Sequence, residues 1–191
     1  QVVAGGRYEE YEQITDTFSL SFAQLPVQSV IREESFLPSL SVNWFYAVSQ
    51  QLRFALTQTV ARPDFKEAAN ATFYDNEFNF RVLGNPFLEV STITNADIRW
   101  EWYGDNDQDN LSVAFFYKDM DKPIERVVQL ASGTAGNSRT FRNAESGELA
   151  GIELEGKKEF VLDEGFSKTV FTSFNISLIE SEVSLSSGKV R

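Results

Sequence analysis

The chain has 191 residues, and its 17 basic and 28 acidic side chains give a formal net charge of −11. This balance argues against a nucleic-acid-binding protein, because phosphate recognition requires clustered Lys and Arg. Cysteine and histidine are both absent, which excludes disulfides and thiolate metal sites and removes the usual general base. We therefore predict no enzyme, no metal and no cofactor in this segment.

Aromatic residues are the first sign of a β structure. The chain contains 17 Phe, 6 Tyr and 3 Trp, and aromatic side chains favour strands. No apolar run reaches the roughly 18 residues that suggest a transmembrane helix. Strands that cross a membrane in a barrel need only about 9–11 residues and show alternation of apolar and polar side chains. Alternation is therefore the informative pattern in this chain.

Apolar and polar residues alternate along most of the chain, and this period of two predicts about seven strands. In the segment SLSVNWFYAV, for example, Leu40, Val42 and Trp44 share one face. The strands are predicted, in chain order, over residues 2–11, 39–48, 51–60, 95–103, 111–118, 151–158 and 168–179.

The predicted connections alternate strictly between short and long. Short ones lie near residues 48–50, 104–110 and 160–166, and long ones span about 12–36, 62–94 and 119–139. This order is typical of an outer-membrane barrel, whose periplasmic turns are short and whose extracellular loops are long. It predicts an all-β fold, namely an antiparallel transmembrane β-barrel segment. Trp102 and Tyr103, beside a short turn, are expected in the periplasmic aromatic girdle, with Tyr46 nearby.

Six segments of the chain carry a family resemblance. QLRFALTQTVARPDF at residues 51–65 closely resembles a signature stretch of TonB-dependent receptors, in which a strand of the type "LR-A-S-T-ARP-F" runs up to an extracellular loop. The other matching segments, in the order that the family has them, are GGRYEEYE at 5–12, LPSLSVNW at 37–44, GNPFLEVSTITNADIRWEWY at 84–103, LSVAFFYKDMDKPIERV at 111–127 and NAESGELAGIELEGKKEF at 143–160. The resemblance thus covers nearly the whole chain.

The resemblance implies that residues 1–191 are part of a receptor β-barrel domain, about seven strands of a barrel of roughly 22. The plug domain, the TonB box and the closing strands have no counterpart in this sequence. The implied location is the bacterial outer membrane. The implied partners are the membrane lipid, the remainder of the barrel, and the TonB complex acting through the plug. The implied activity is energised uptake of a scarce ligand, such as a ferric siderophore, cobalamin or an oligosaccharide.

Two sets of residues are candidates for special roles. The first set is expected to determine the fold, because it combines a strand end with turn-forming residues; it consists of Arg62, Pro63, Asp64, Phe65, Gly84, Asn85 and Pro86. The second set is aromatic and lies in the long connection between Asp64 and Thr94; it consists of Phe73, Tyr74, Phe78 and Phe80. These rings are expected to stack on a ligand or, alternatively, to pack among neighbouring loops.

Two other functions remain open at this point. A soluble, secreted β-sandwich that binds carbohydrate would show the same alternation, with its apolar faces buried between two sheets. A passive porin would share the barrel but would have no plug. An outer-membrane enzyme barrel is disfavoured, since a Ser–His catalytic pair is impossible without His.

Overall fold

A computed structural model describes residues 1–18, 26–75, 80–104, 108–129, 138–163, 168–185 and 188–190. Within these ranges the strands are β1 (Val2–Phe18), β2 (Pro26–Ala47), β3 (Gln50–Ala61), β4 (Thr72–Asp75), β5 (Phe80–Leu83), β6 (Ser91–Tyr103), β7 (Asn110–Asp121), β8 (Ile124–Gln129), β9 (Ser138–Asn143), β10 (Ser146–Asp163), β11 (Lys168–Leu185) and β12 (Gly188–Val190). One short helix, α1 (Phe65–Ala68), follows β3. No helix in these ranges is long and apolar enough to cross a membrane.

Eight strands form the main sheet, in the order β1-β2-β3-β6-β7-β10-β11-β12, and all its neighbours are antiparallel. Seven of the eight are long, which confirms the predicted fold class and strand number. The remaining strands form a small sheet in the order β4-β5-β9-β8. We call the end with the β2–β3 and β6–β7 turns the turn end, and the opposite end the loop end.

The first predicted long connection, residues 12–36, is wrong over most of its length. β1 and β2 remain paired from Glu12 opposite Arg32 up to Phe18 opposite Pro26. An ion pair of 2.7 Å joins Arg32 to Glu12, and opposite charges across two strands stabilise a sheet. Charged and polar side chains occupy both faces of this extension, so no apolar alternation revealed it. The other two long connections contain the small sheet.

The main sheet has one apolar and one polar face. Residues directly opposite each other point to the same side, and the register places Leu56 beside Leu40 and Ile98 beside Phe54. The row from Ile98 continues through Phe115, Ile152 and Leu178. The apolar face therefore carries a continuous hydrophobic band from β1 to β11. Many of its side chains are exposed, including Leu178 at 67%, and an apolar surface of this extent indicates a contact with lipid or protein.

Aromatic residues end the apolar band at the turn end. The Trp44 and Tyr46 rings lie 5.8 Å apart, and the indole N–H of Trp100 donates a hydrogen bond of 2.7 Å to the Tyr46 hydroxyl. Trp102 continues this group on the same face. Tyr103 was expected there too, but that prediction is wrong, because alternation turns its side chain to the polar face, where its hydroxyl donates to Glu101.

Two glycines of β10 let aromatic rings lie flat on the sheet. A Cβ atom at Gly151 would overlap the Phe116 ring, and one at Gly156 would overlap the Phe174 ring. In the register each glycine lies directly opposite its aromatic partner. Glycine has no side chain to cover its backbone, and each ring covers the backbone at its glycine instead. This contact stabilises the strand at these positions.

At the turn end, Asp109 joins the β6–β7 turn to β10. Its carboxylate accepts a hydrogen bond of 2.8 Å from the Glu159 backbone N–H and pairs with Lys158. The backbone N–H and the Lys158 ammonium hold the pKa of the Asp109 carboxyl below its ordinary value of 3.8. A group with a lowered pKa in the folded state contributes stability that is lost as the pH falls through that pKa.

We expect Ile98→Lys to destabilise the protein if the apolar face contacts lipid. A Lys near the middle of a lipid-facing band costs about 2–4 kcal/mol, which urea titration of the complete protein refolded in lipid vesicles would measure. Asp97→Lys is the matched control, because the neighbouring position points to the polar face. Equal effects of both variants would contradict the assignment of the faces.

We also expect Asp109→Asn to lower stability at neutral pH. The difference from the unmodified protein should begin to shrink below about pH 4, where the carboxyl of the unfolded chain takes up a proton, and should vanish once the pH falls below the lowered pKa of the folded state. Denaturant titration over a pH series measures this. Asp97→Asn removes a carboxylate that makes no ion pair in the described part of the chain and serves as control. A difference that stays constant down to about pH 2 would contradict the role of the charge.

Candidate functional site

The small sheet joins two segments that are far apart in the sequence. The β4–β5 hairpin comes from the connection between β3 and β6, whereas β8 and β9 come from the connection between β7 and β10. β5 and β9 pair in parallel, with Val82 beside Arg139 and Leu83 beside Thr140. The two long connections therefore form one unit at the loop end.

A compact hydrophobic cluster lies on one face of the small sheet, which we call the packed face. Val82, Leu88 and Phe141 are at most 6% exposed, and Phe73 and Ile124 pack against them. Phe73 was predicted as a ligand contact, and the structure places its ring on this cluster. This position fits the alternative role of packing among loops.

Helix α1 begins the connection after β3 and supports the small sheet. Asp64 caps the helix, accepting from the Lys66 N–H, while the Glu67 side chain accepts from the Asp64 N–H. Gly84 lies so close to α1 that a Cβ atom would overlap the Ala69 carbonyl oxygen. A glycine is therefore required where the chain passes the helix.

Four more members of the predicted fold-determining set lie in or beside this connection. Arg62 pairs with Glu9 and lies 4.5 Å above the Tyr11 ring, so it ties β3 to β1. Pro63 is buried beside it, and the Phe65 ring is 65% exposed. Pro86 accepts a hydrogen bond of 2.9 Å from the Ser29 hydroxyl, through its carbonyl oxygen.

Two asparagines bind the connections to each other. The side chain of Asn85 donates to the Phe141 carbonyl oxygen at 2.9 Å and accepts from the Phe87 N–H at 3.0 Å. Asn143 accepts from the Glu89 N–H at 2.9 Å and donates to the carbonyl oxygens of Glu89 and Lys122, at 3.0 and 2.8 Å. Asn143 could not be identified from the sequence, since an asparagine at a strand end carries no signal of a partner 54 residues away.

Lys122 occupies the tight turn between β7 and β8, where its φ of 51° lies in the left-handed region. Its ammonium group pairs with Glu89, and this hydrogen bond, with the charge of the carboxylate, raises the pKa of Lys122. This ion pair adds a third link between the two connections.

Arginine and aromatic side chains meet on the packed face above the cluster. The Arg139 guanidinium lies 4.2 Å from the centre of the Phe80 ring. Arg126 lies 5.5 Å above the Phe141 ring and pairs with Asp75 at 3.4 Å. Such contacts hold a planar guanidinium in place. Phe80, a predicted ligand residue, thus has a cation over its ring.

The opposite face, which we call the free face, carries the other predicted residue within the described ranges. Tyr74 is 53% exposed and lies directly opposite Arg81 in the β4–β5 pair. Phe78 lies outside the described residues. A cavity of about 670 Å³ adjoins the sheet; it is lined by Asn85, Val127, Val128, Gln129, Thr140, Phe141, Arg142 and Leu185.

A second polar site lies on the polar face of the main sheet, toward the turn end. Glu101 is 7% exposed and accepts from Arg53 at 3.1 Å, Arg99 at 2.9 Å and Tyr103 at 3.0 Å, besides Gln51. Arg99 also reaches Glu155 at 3.3 Å. A buried carboxylate needs such partners to remain ionised. We call these residues the inner network; they lie on β3, β6 and β10. Among the described residues, no cluster of acidic side chains could hold a metal ion.

Residues 1–187 match the protein-family model described as "TonB dependent receptor-like, beta-barrel". Comparison with curated proteins gives no match. The described fold is similar to the siderophore receptor PirA from Pseudomonas aeruginosa, at a TM-score of 0.56 and 15% identity, covering 83% of this chain and 32% of that one.

The fold is also similar to the Pseudomonas aeruginosa ferric enterobactin receptor mutant (Q482A) in complex with enterobactin. There the TM-score is 0.51 and the identity 14%, covering 83% of this chain and 27% of the other. The chain thus spans about a third of the length of these receptors. Identities this low establish the shared fold and nothing about the ligand.

We expect Asn143→Ala to loosen the small sheet without unfolding the main sheet. Three lost hydrogen bonds in a partly buried position should lower the local opening free energy by about 1–3 kcal/mol. Hydrogen exchange of residues 85–90 and 122–128 would measure it. Asn175→Ala, an exposed position on β11, is the control. Unchanged exchange in both segments would show that Asn143 does not join them.

Proposed function

This chain belongs to the TonB-dependent receptor β-barrel family, and from that premise we propose that it forms wall and external loops of an outer-membrane uptake receptor. The complete receptor would bind a scarce ligand outside the cell and import it with energy from the inner-membrane TonB complex. The chain would supply seven long strands of a larger barrel. A plug domain and the remaining strands would come from parts of the receptor outside residues 1–191.

The two faces of the main sheet are the observation that carries this proposal. On β2 the apolar band extends from Phe36 to Trp44, nine residues in the register of the sheet. That length matches the roughly 9–11 residues that a tilted strand needs to cross a bilayer. The band would face lipid, and the aromatic group at Trp44, Tyr46 and Trp100 would lie at the membrane–water interface.

The orientation follows from the connections. In outer-membrane barrels short turns face the periplasm and long loops face the cell exterior. The turn end would therefore be periplasmic, and the small sheet would lie outside the membrane at the mouth of the barrel. There it would be accessible to a ligand that arrives from outside the cell.

The inner network supports a second contact. Glu101, Arg99 and Glu155 lie on the face that would line the barrel interior, near its periplasmic end. Because these charged side chains are held in place by their hydrogen-bond partners, they would form a polar surface against which an inserted domain can pack. We infer that this network contacts the plug, through which the TonB complex would act.

The ligand contacts are proposed to come from the aromatic set of the small sheet. Tyr74 is exposed, and Phe80 lies beside Arg139; Phe73 and Phe78 complete the set. Two of the similar solved structures are a siderophore receptor and a ferric enterobactin receptor, which makes a ferric siderophore the first ligand to test. Cobalamin and oligosaccharides are the other two classes.

A soluble β-sandwich is the weaker alternative. It would bury the apolar face under a second sheet, but among the described residues no such layer covers Ile176, Leu178 or Phe54. A passive porin shares the barrel and differs in needing no energy source. Transport measurements distinguish a passive porin from an energised receptor.

The proposal predicts uptake that depends on TonB. Cells that express the complete receptor should accumulate a labelled member of a panel of ferric siderophores, cobalamin and maltooligosaccharides. Deleting the tonB gene should abolish accumulation and leave surface binding intact. Equal uptake with and without TonB would favour a porin.

In the same assay Tyr74→Ala should weaken ligand binding about fivefold, since stacking on an exposed ring is worth about 1 kcal/mol. Phe87→Ala is the matched control, because its ring is 84% exposed in the same connection but lies outside the small sheet. Equal affinities of the two variants would contradict the role of Tyr74.

A further inference from the structure

The strands β2 and β3 separate at Pro38, and a fork opens between them at the loop end. Their ladder ends with Ser39 opposite Thr57, although both strands continue beyond this point. In an antiparallel pair, the N–H groups of one strand point alternately toward its two neighbours. Asn43 donates its N–H to Gln1, beside β1, so the even-numbered residues of β2 direct theirs toward β3. Pro38 is one of these residues and has no N–H to donate, and the ladder therefore ends there.

The base of the fork is an apolar crevice of about 200 Å³. It is lined by Pro38, Ser39, Leu40, Leu56, Thr57, Gln58 and Thr94. Leu40 and Leu56 lie opposite each other in the hydrophobic band. Thr94 lies opposite Gln58, which follows Leu56 by two residues and therefore shares its face. The crevice thus opens on the apolar face of the main sheet, toward the loop-end border of the band.

A polar cleft of about 330 Å³ follows the crevice toward the loop end. It is lined by Val30, Ile31, Arg32, Glu33, Leu88, Glu89, Val90, Thr92, Asp121 and Lys122. Thr92 in the cleft and Thr94 in the crevice are two residues apart on β6, so they are neighbours on one face. We call the crevice and the cleft together the fork groove. It is apolar toward the band and polar toward the loop end, which suits an amphipathic molecule with one polar end.

Charged groups of both signs line the cleft. Arg32 and Lys122 each pair with a carboxylate, whereas Glu33 and Asp121 form no ion pair within the described part of the chain. The pKa of Lys122 is raised mainly by its hydrogen bond to Glu89 and also by the charges of Asp121 and Glu33, so these two carboxylates lie near the ammonium group. Two positive and three negative groups give the cleft a net charge of −1.

This charge pattern distinguishes between lipid headgroups. A phosphate–glycerol headgroup brings only negative charge, which carboxylates without ion partners would repel. A zwitterionic headgroup with a primary ammonium brings three N–H donors for these carboxylates and a phosphate for the cations. A quaternary ammonium has the same charge but no N–H to donate. The cleft is therefore complementary to phosphatidylethanolamine, and the crevice beside it continues the surface that is proposed to face lipid.

We propose that the fork groove binds one molecule of phosphatidylethanolamine, with an acyl chain against Leu40 and Leu56 and the ammonium group at Glu33 and Asp121. The proposal rests on the proposed position of the main sheet in the membrane and adds a specific lipid to it. The bound lipid would fill the gap that Pro38 leaves between β2 and β3, at the border where the wall emerges from the membrane.

Native mass spectrometry of the complete receptor, titrated with lipid in detergent, tests the proposal. The probes are phosphatidylethanolamine, phosphatidylglycerol and phosphatidylcholine with identical acyl chains, and lipid A as a phosphorylated glycolipid. We expect phosphatidylethanolamine to bind about tenfold more tightly than the other three, as expected for hydrogen bonds to charged groups. Equal affinities for the three phospholipids, or tighter binding of phosphatidylglycerol or lipid A, overturn the proposal.

The second arm uses variants of the cleft. The double variant E33Q/D121N should lower the affinity for phosphatidylethanolamine about tenfold, to that of phosphatidylcholine, because the charged acceptors are lost. The matched control is E148Q/E180Q, which removes two exposed carboxylates from the same face on β10 and β11, beyond β7 in the sheet order. The variant D121E keeps the charge and should retain most of the preference. Circular dichroism and heat-modified gel mobility verify that each variant is folded.

Unchanged affinity of the folded double variant for phosphatidylethanolamine overturns the proposal. If TonB-dependent uptake is nevertheless observed, the failure concerns the lipid site and leaves the receptor function intact. If no panel member is taken up in a TonB-dependent manner while phosphatidylethanolamine still binds through the two carboxylates, the receptor function fails and the lipid site remains.

Discussion

The antiparallel register of the main sheet is the constraint on which the other features of this chain depend. Because opposite residues share a face, the pairing of Ile98 with Phe54 and Phe115 also assigns every neighbour to the apolar or to the polar face. A slip of one residue would exchange the faces. It would move Glu101, with its two arginine partners, into the apolar band. The rings of Phe116 and Phe174 oppose such a slip, since each fits only above a glycine.

The main sheet and the small sheet differ in whether their arginines have carboxylate partners. Along the polar face of the main sheet, cations such as Arg62 and Arg99 have carboxylate partners. At the loop end, Arg81 and Arg142 make no ion pair within the described part of the chain and project from a sheet held together by a hydrophobic cluster and by asparagine side chains. The cluster lets the connections keep a fixed shape without using those two cations. Packing on one face thus leaves the other face exposed.

Much of the main sheet could be predicted from the sequence, because a lipid-facing strand must alternate and alternation is visible in a single chain. The upper part of the β1–β2 hairpin was missed, since charged and polar residues interrupt the apolar ones on both of its faces. Tyr103 was misplaced because two adjacent aromatics cannot share one face. The small sheet escaped prediction altogether. Its strands are only four to six residues long, and the β5–β9 pairing depends on contacts between distant segments.

The parallel pairing of Val82 with Arg139 joins positions 57 residues apart along the chain. Closing such a loop in an unfolded chain carries an entropy cost that local contacts do not share. Pairing of β6 with β7 shortens the path, because it brings Thr92 opposite Asp121. The small sheet should therefore fold late, after the β6–β7 hairpin has formed. A receptor could then insert its main sheet into the membrane while the external connections are still unstructured. The surface that contacts the ligand would form in the last step of assembly.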